Sequence, residues 1–254
     1  MQILDVIILG VLQGLTEFLP VSSSGHLVLG QYLLGVKSPG NTLEILFHLG
    51  TLGSVIFVFL PDILTILMTI KKKSTQKLLL YIFIATIPAV IIGFFLRNKL
   101  DTLFESINYV GFALLFTGLV LILSTSFKNK NSEHSIFSSI VIGFGQALAI
   151  IPGISRSGMT ITLSLFFGFS PKESAKFSFL LSIPIIAGAG MLGIQDIQST
   201  ESFSPDIIIA ALLSSFIIGI IALRVLIKLL ELGKFYIFGI YCICLGLGSI
   251  FIVQ

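Results

Sequence analysis

Two short stretches of this chain carry residue types that do chemistry. In the first, Gln13 and Glu17 stand four apart and run into Pro20, Ser22, Ser23, Ser24, Gly25 and His26. In the second, Pro152 and Gly153 precede Ser155, Arg156, Ser157, Gly158 and Thr160. Helical spacing over 6–18 stacks Gln13 and Glu17 one turn apart on a shared face. Serine hydroxyls and free N–H groups at a helix start bind an anion, and the planar fork of arginine matches phosphate oxygens two at a time. Gln and Glu oxygens suit a hard divalent cation, Mg2+ or Ca2+, with Glu17 and Gln13 as its ligands. The set as a whole suits phosphoryl transfer from a diphosphate. The nucleophile is left open between a serine hydroxyl, with His26 or Glu17 as base, and a metal-bound water. The plainer alternatives are a structural Glu17–Arg156 ion pair and a hydrogen-bonded core histidine at 26. His48 lies in an apolar span without such company and reads as structural.

The elements that must hold these residues are membrane helices. The 254 residues are 55% hydrophobic and 11% charged, with a mean hydropathy of +1.08, a balance that excludes an ordinary soluble domain. Uncharged stretches of about 17 to 25 residues can cross the hydrocarbon as helices, and no alternation of a membrane barrel is present. The net charge of +3 is too small and too scattered for a nucleic-acid partner. Cys242 and Cys244 read as packing residues. The start of the chain lacks a basic region and carries Asp5, Gln13 and Glu17, so it is expected to stay in the mature protein.

A shift of 133 residues aligns 8–35 with 141–168, and seven of the 28 positions are then identical, among them Gln13/Gln146, Ser22/Ser155, Ser24/Ser157 and Gly25/Gly158. Each copy has an apolar half, a Pro/Gly/Ser interruption and a second apolar half, too short to span alone. This pattern predicts two re-entrant helical hairpins, 6–36 and 136–168, buried in protein. Full spans are predicted at about 42–60, 78–97, 107–127, 177–195, 207–228 and 234–253. The fold class is therefore an all-α polytopic membrane protein with about six full transmembrane helices plus two hairpins. It forms one integral domain over 1–254, with repeat 1 at about 1–127 and repeat 2 at about 135–254. Three crossings between the hairpins invert the second copy. Loops at 61–77, 128–135, 169–176 and 224–234 hold eleven Lys/Arg, against Lys37, Arg97 and Lys99 opposite, and are predicted to face the cytoplasm. The segment 195–206, with Asp196 and Glu201, then lies outside.

At the chemically competent residues the sequence resembles the bacitracin-resistance type of undecaprenyl-diphosphate phosphatase. That family carries an E/Q-x-x-x-E motif running into a Pro-x-Ser-Ser-x-Gly-His turn, matched here by Gln13 to Glu17 and Pro20 to His26. It also carries P-G-x-S-R-S-x-x-T, matched by Pro152 to Thr160. The similarity extends to HLGTL at 48–52 and ESAKFSFLLSIP at 173–184. The resemblance implies a multi-pass enzyme of the bacterial inner membrane, a hydrolase acting on a phosphoric anhydride. It would convert undecaprenyl diphosphate to undecaprenyl phosphate, recycle the carrier for peptidoglycan synthesis and raise tolerance to bacitracin. It implies Glu17 as the essential acid, His26 and Ser23 as base or nucleophile, and Arg156 as the diphosphate clamp. Ser22, Ser155 and Thr160 support them; Ser24, Gly25, Ser157 and Gly158 complete the expected binding turns. Where some members have a first glutamate this chain has Gln13, which argues against a two-carboxylate metal site. The site is expected to open to the periplasmic side, and a homodimer is left open. The rival reading is a secondary transporter or a flippase of a polyprenyl phosphate lipid, because inverted repeats with broken helices are a transporter design.

Overall fold

The computed structural model describes residues 2–36, 42–104, 107–127, 129–130, 132–200 and 203–252. Lys37, Lys128 and Glu201, which entered the charge count, lie outside the described residues, as do the side chains of Arg97, Lys99 and Asp196. The described residues form eleven α-helices and no strand: α1 (Ile3–Phe18), α2 (Ser23–Leu34), α3 (Thr42–Val58), α4 (Leu60–Met68), α5 (Lys73–Phe104), α6 (Ile107–Leu123), α7 (Ile136–Leu148), α8 (Arg156–Phe166), α9 (Pro171–Thr200), α10 (Pro205–Glu231) and α11 (Tyr236–Ile252).

Four of these are long and apolar enough to cross a membrane: α5, α9, α10, and α6 once the 3-10 turn Ser124–Ser126 extends it. α3 and α4 are together long and apolar enough for a fifth span, but they meet at a bend of 67°, where Phe59 is the N-cap and Pro61 stands in the first turn of α4. Part of the expected loop at 61–77 is thus helical. The expected sixth span, α11, has 17 residues. At 1.5 Å per residue it reaches about 25 Å, short of a hydrocarbon core of about 30 Å. Phe83, Phe94, Phe95 and Met68 point outward. A soluble monomer does not leave so much apolar surface in water.

At the two predicted hairpins the chain forms the helix pairs α1–α2 and α7–α8, each packed on itself across its turn. α1 ends where Leu19 turns extended before Pro20. α2 is capped by Ser22, the one non-glycine residue with positive φ (69°) among the described residues. That backbone strain, of order 1–3 kcal/mol, is held by the cap bond from Gly25 N–H to Ser22 Oγ, 3.4 Å. α8 has the same cap bond, Gly158 N–H donating to Ser155 Oγ at 3.1 Å, on a Ser155 of ordinary extended backbone.

Packing between the halves is reciprocal. α1 lies on α10 and α7 lies on α5, each brought close by glycine. A Cβ on Gly14 would stand 2.8 Å from Ser215 O, and one on Gly143 would stand 2.7 Å from Ala85 O. α6 and α11 cross antiparallel, because Gly118 faces Gly239 and Gly111 faces Gly246. Small residues at such crossings let backbones approach where lipid supplies no hydrophobic drive. Three of the base-rich loops meet at one end: Lys176 pairs with Asp62, and Lys130 N–H donates to Gly168 O at 3.0 Å. The beginnings of α1, α3 and α10 cluster at the other end through Val6, Leu43, Phe47 and Ala211.

Candidate active site

The site forms where the two hairpin tips touch. Glu17, in the last turn of α1, is buried and accepts hydrogen bonds from three side chains. Arg156 Nη2 donates to its Oε1, and Ser23 Oγ donates to its Oε2 at 2.7 Å. Gln13 Nε2 donates to the same Oε2 at 3.0 Å, while His48 Nδ1 lies 3.5 Å away. Such convergence is what a carboxylate needs in order to stay ionised at membrane depth, where an unpartnered charge is costly. The helical spacing of Gln13 and Glu17 therefore produces the shared face that the sequence predicts.

The tips are also locked by backbone. Gly153 N–H donates to Ser22 Oγ at 3.1 Å, so one hydroxyl caps its own helix and holds the opposite hairpin. Ser157 Oγ donates to Leu19 O at 3.5 Å. Ser24 Oγ is 3.3 Å from Ser22 Oγ, and Ser157 Oγ is 3.2 Å from Ser155 Oγ, the same arrangement in each copy. Gly25 and Gly158 supply the cap N–H groups. Thr160 is turned away from Glu17: its Oγ1 donates to Arg156 O at 2.8 Å and lies 2.6 Å from Ser178 Oγ on α9. It fixes the backbone that carries Arg156.

His26 is engaged elsewhere. Its Nδ1 is 2.8 Å from Ser22 O, and its Nε2 is 2.8 Å from Tyr241 Oη. A carbonyl can only accept, so Nδ1 carries the proton and Nε2 accepts from Tyr241 in the neutral ring. The two rings stack 5.6 Å apart. Tyr241 is a neighbour that no local spacing announced. His48 is the larger surprise. Read from the sequence as structural, it lies 3.0 Å from Gln13 Nε2 as well as beside Glu17, and its side chain is 36% exposed. The one signal that could have found it is its place at the head of the HLGTL stretch, a full helix away from the hairpin.

Two polar atoms in this cluster have no partner: Gln13 Oε1 and Arg156 Nη1, both buried. Buried groups of this kind are ordinarily satisfied, so among the described residues Arg156 Nη1 is a donor free for an acceptor and Gln13 Oε1 an acceptor free for a donor. The oxygens of Gln13, Glu17 and Ser23 are of the hard type that Mg2+ or Ca2+ takes, but Gln13 turns its Nε2 rather than its Oε1 toward Glu17 and His48, and the described residues hold no group of three or more His, Cys, Asp or Glu side chains that could bind a metal ion.

A family model described as "Bacitracin resistance protein BacA" matches residues 6–248. The chain belongs to this family. An undecaprenyl-diphosphatase of Halothermothrix orenii is 42% identical over 252 residues, covering 97% of this chain and 96% of its own length. One of Desulforapulum autotrophicum is 39% identical over 270 residues, with 98% of each chain covered. Another, from Korarchaeum cryptofilum, is 36% identical over 260 residues, again with 98% of each covered. The BacA match thus takes in both hairpins and every helix that meets at Glu17.

Proposed function

We propose that this protein is an undecaprenyl-diphosphate phosphatase that hydrolyses its substrate to undecaprenyl phosphate and inorganic phosphate. The observation that carries the reading is Glu17 held between Ser23 and Arg156 with Arg156 Nη1 unpartnered, since that vacant donor suits a phosphoryl oxygen. The names of the similar proteins and the family match point the same way.

Ser23 is the nucleophile in this reading. Its hydroxyl already donates to Glu17, the only carboxylate in contact with it among the described residues. As Ser23 Oγ forms a bond to the terminal phosphorus, its proton passes to Glu17 and the bridging P–O bond breaks, releasing undecaprenyl phosphate. Water then attacks the phosphoserine, returning a proton to Ser23 and freeing phosphate. Arg156 neutralises charge that builds on the equatorial oxygens. His26, bonded to Tyr241 and Ser22, orients the turn that carries Ser23.

The protein is placed in the bacterial inner membrane, with the base-rich loops in the cytoplasm and the site open to the periplasm, as the charge bias favours. Recycling of the carrier there serves peptidoglycan synthesis and bacitracin tolerance. Purified protein should release phosphate from undecaprenyl diphosphate. Movement of the lipid across vesicles without phosphate release would replace this reading by that of a flippase or transporter.

A further inference from the structure

The two hairpins share the serine cap bond to a glycine N–H but dock differently on their neighbours. α8 packs on α6, where Ala113, Val120, Met159 and Leu163 join one apolar cluster. Leu121 Cδ2 comes within 3.4 Å of where a Cβ on Gly158 would stand. The antiparallel glycine crossing pairs α6 with α11 at matching register, with 111 equivalent to 239 and 118 to 246. By that register the positions equivalent to Val120 and Leu121 are Gly248 and Ser249, and the Met159/Ala113 contact becomes His26/Tyr241. Two branched aliphatic side chains are thus replaced by a hydrogen and a hydroxymethyl group. A cavity of about 300 Å3 opens between α2 and α11, lined by Leu12, Leu29, Gly30, Leu33, Leu245 and Gly248, with His26 on its wall.

We propose that this groove takes the first isoprene units of the substrate's polyprenyl chain. The proposal rests on the phosphatase reading above and names the occupant from continuity: His26 lines the apolar groove while its Nδ1 bonds Ser22 O, one residue from Ser23. The His26–Tyr241 pair is then the join between polar head and apolar tail. Lipid tails are as apolar as leucine, so little is gained by moving the chain from bilayer to groove. The gain is orientation, which presents the terminal phosphorus to Ser23.

The test fills the groove. A methyl group at Gly248 would meet nothing within 4 Å, so a larger side chain enters without moving backbone. Gly248→Phe should lower kcat/KM for undecaprenyl diphosphate by about 10-fold or more, and change that for isopentenyl diphosphate by less than about 2-fold. Equal loss on both substrates, or no loss on either, overturns the groove. A wild-type protein that releases phosphate from neither substrate overturns the phosphatase reading itself. If Gly248→Phe does not fold, or isopentenyl diphosphate is not turned over, labelling of wild-type protein decides. An undecaprenyl diphosphate analogue with a photoreactive group on its first isoprene units should mark α2 or α11, and marking confined to other helices overturns the proposal.

Discussion

Glu17 and Arg156 stand 139 positions apart in the chain and are ion-paired across the point where the two hairpins touch. The pair alone would serve as a pin between the halves, but one nitrogen of the guanidinium is buried and unpartnered. A clamp needs that second nitrogen and a pin does not. Arg156→Lys keeps the charge and loses the fork, so it should lower kcat/KM by at least about 10²-fold, roughly 2.7 kcal/mol of transition-state stabilisation, and Arg156→Ala should lower it further. Phosphate release and melting temperature measured on both variants separate the roles. Near wild-type turnover in Arg156→Lys, with a large fall in Tm for Arg156→Ala, would make the pair a pin.

Glu17→Gln keeps the shape and removes the proton acceptor for Ser23. Turnover should fall at least about 10²-fold while the protein remains folded. Retention of more than about a tenth of the activity would move the base elsewhere.

His48 lies beside both Gln13 and Glu17, and it is expected to hold the Gln13 amide in place. Gln13 Nε2 reaches both Glu17 and His48 at 3.0 Å, so His48 Nδ1 is the acceptor that fixes the amide. A glutamine at 48 can accept the same bond through its carbonyl, whereas leucine leaves the donor unpaired at a cost of about 1–3 kcal/mol. His48→Gln should stay within about 3-fold of wild type, and His48→Leu should lose about 10-fold or more. Equal activity in the two variants would remove His48 from the site.

His134 lies in the loop before α7, between Phe169 and Phe177 with ring centroids 4.0 and 4.3 Å away. Burial holds its pKa below the ordinary 6.5, and the nearby charge of Glu173 opposes this only in part. The folded state therefore resists a proton that the unfolded chain accepts, so stability is intact above the ordinary histidine value and is lost as pH falls below it. Tm in detergent should drop between about pH 7 and pH 5, and His134→Phe should shrink that drop. An unchanged pH profile in the variant would rule out His134 as its source.

The charge bias predicts sidedness. A single cysteine introduced at Lys72, in the turn between α4 and α5, should be labelled from the cytoplasm, and one at Ser204, the N-cap of α10, only from outside. Labelling of both from the same side would sink the inverted arrangement and move the opening of the site with it.

Much of this protein is legible in its sequence because lipid restricts the options. Backbone groups in hydrocarbon must bond within their own helix, so an uncharged run of sufficient length reads directly as a span. A Pro/Gly/Ser break inside a run too short to cross reads as a hairpin. Gln13 and Glu17 sit on one face because helical periodicity is local, and the cap bonds of Ser22 and Ser155 follow from residues three apart. What the tertiary structure decided depends on the packing of distant helices. His48 reaches Gln13 across 35 positions and His26 finds Tyr241 across 215, and nothing in local spacing encodes either distance. Past the bend at Phe59 the chain stays helical where the sequence reads as a loop, because Pro61 falls in the first turn of α4, where its missing backbone donor is not needed. The groove beside α11 is likewise invisible in the chain, since Gly248 and Ser249 gain meaning only when the crossing glycines set them opposite α2.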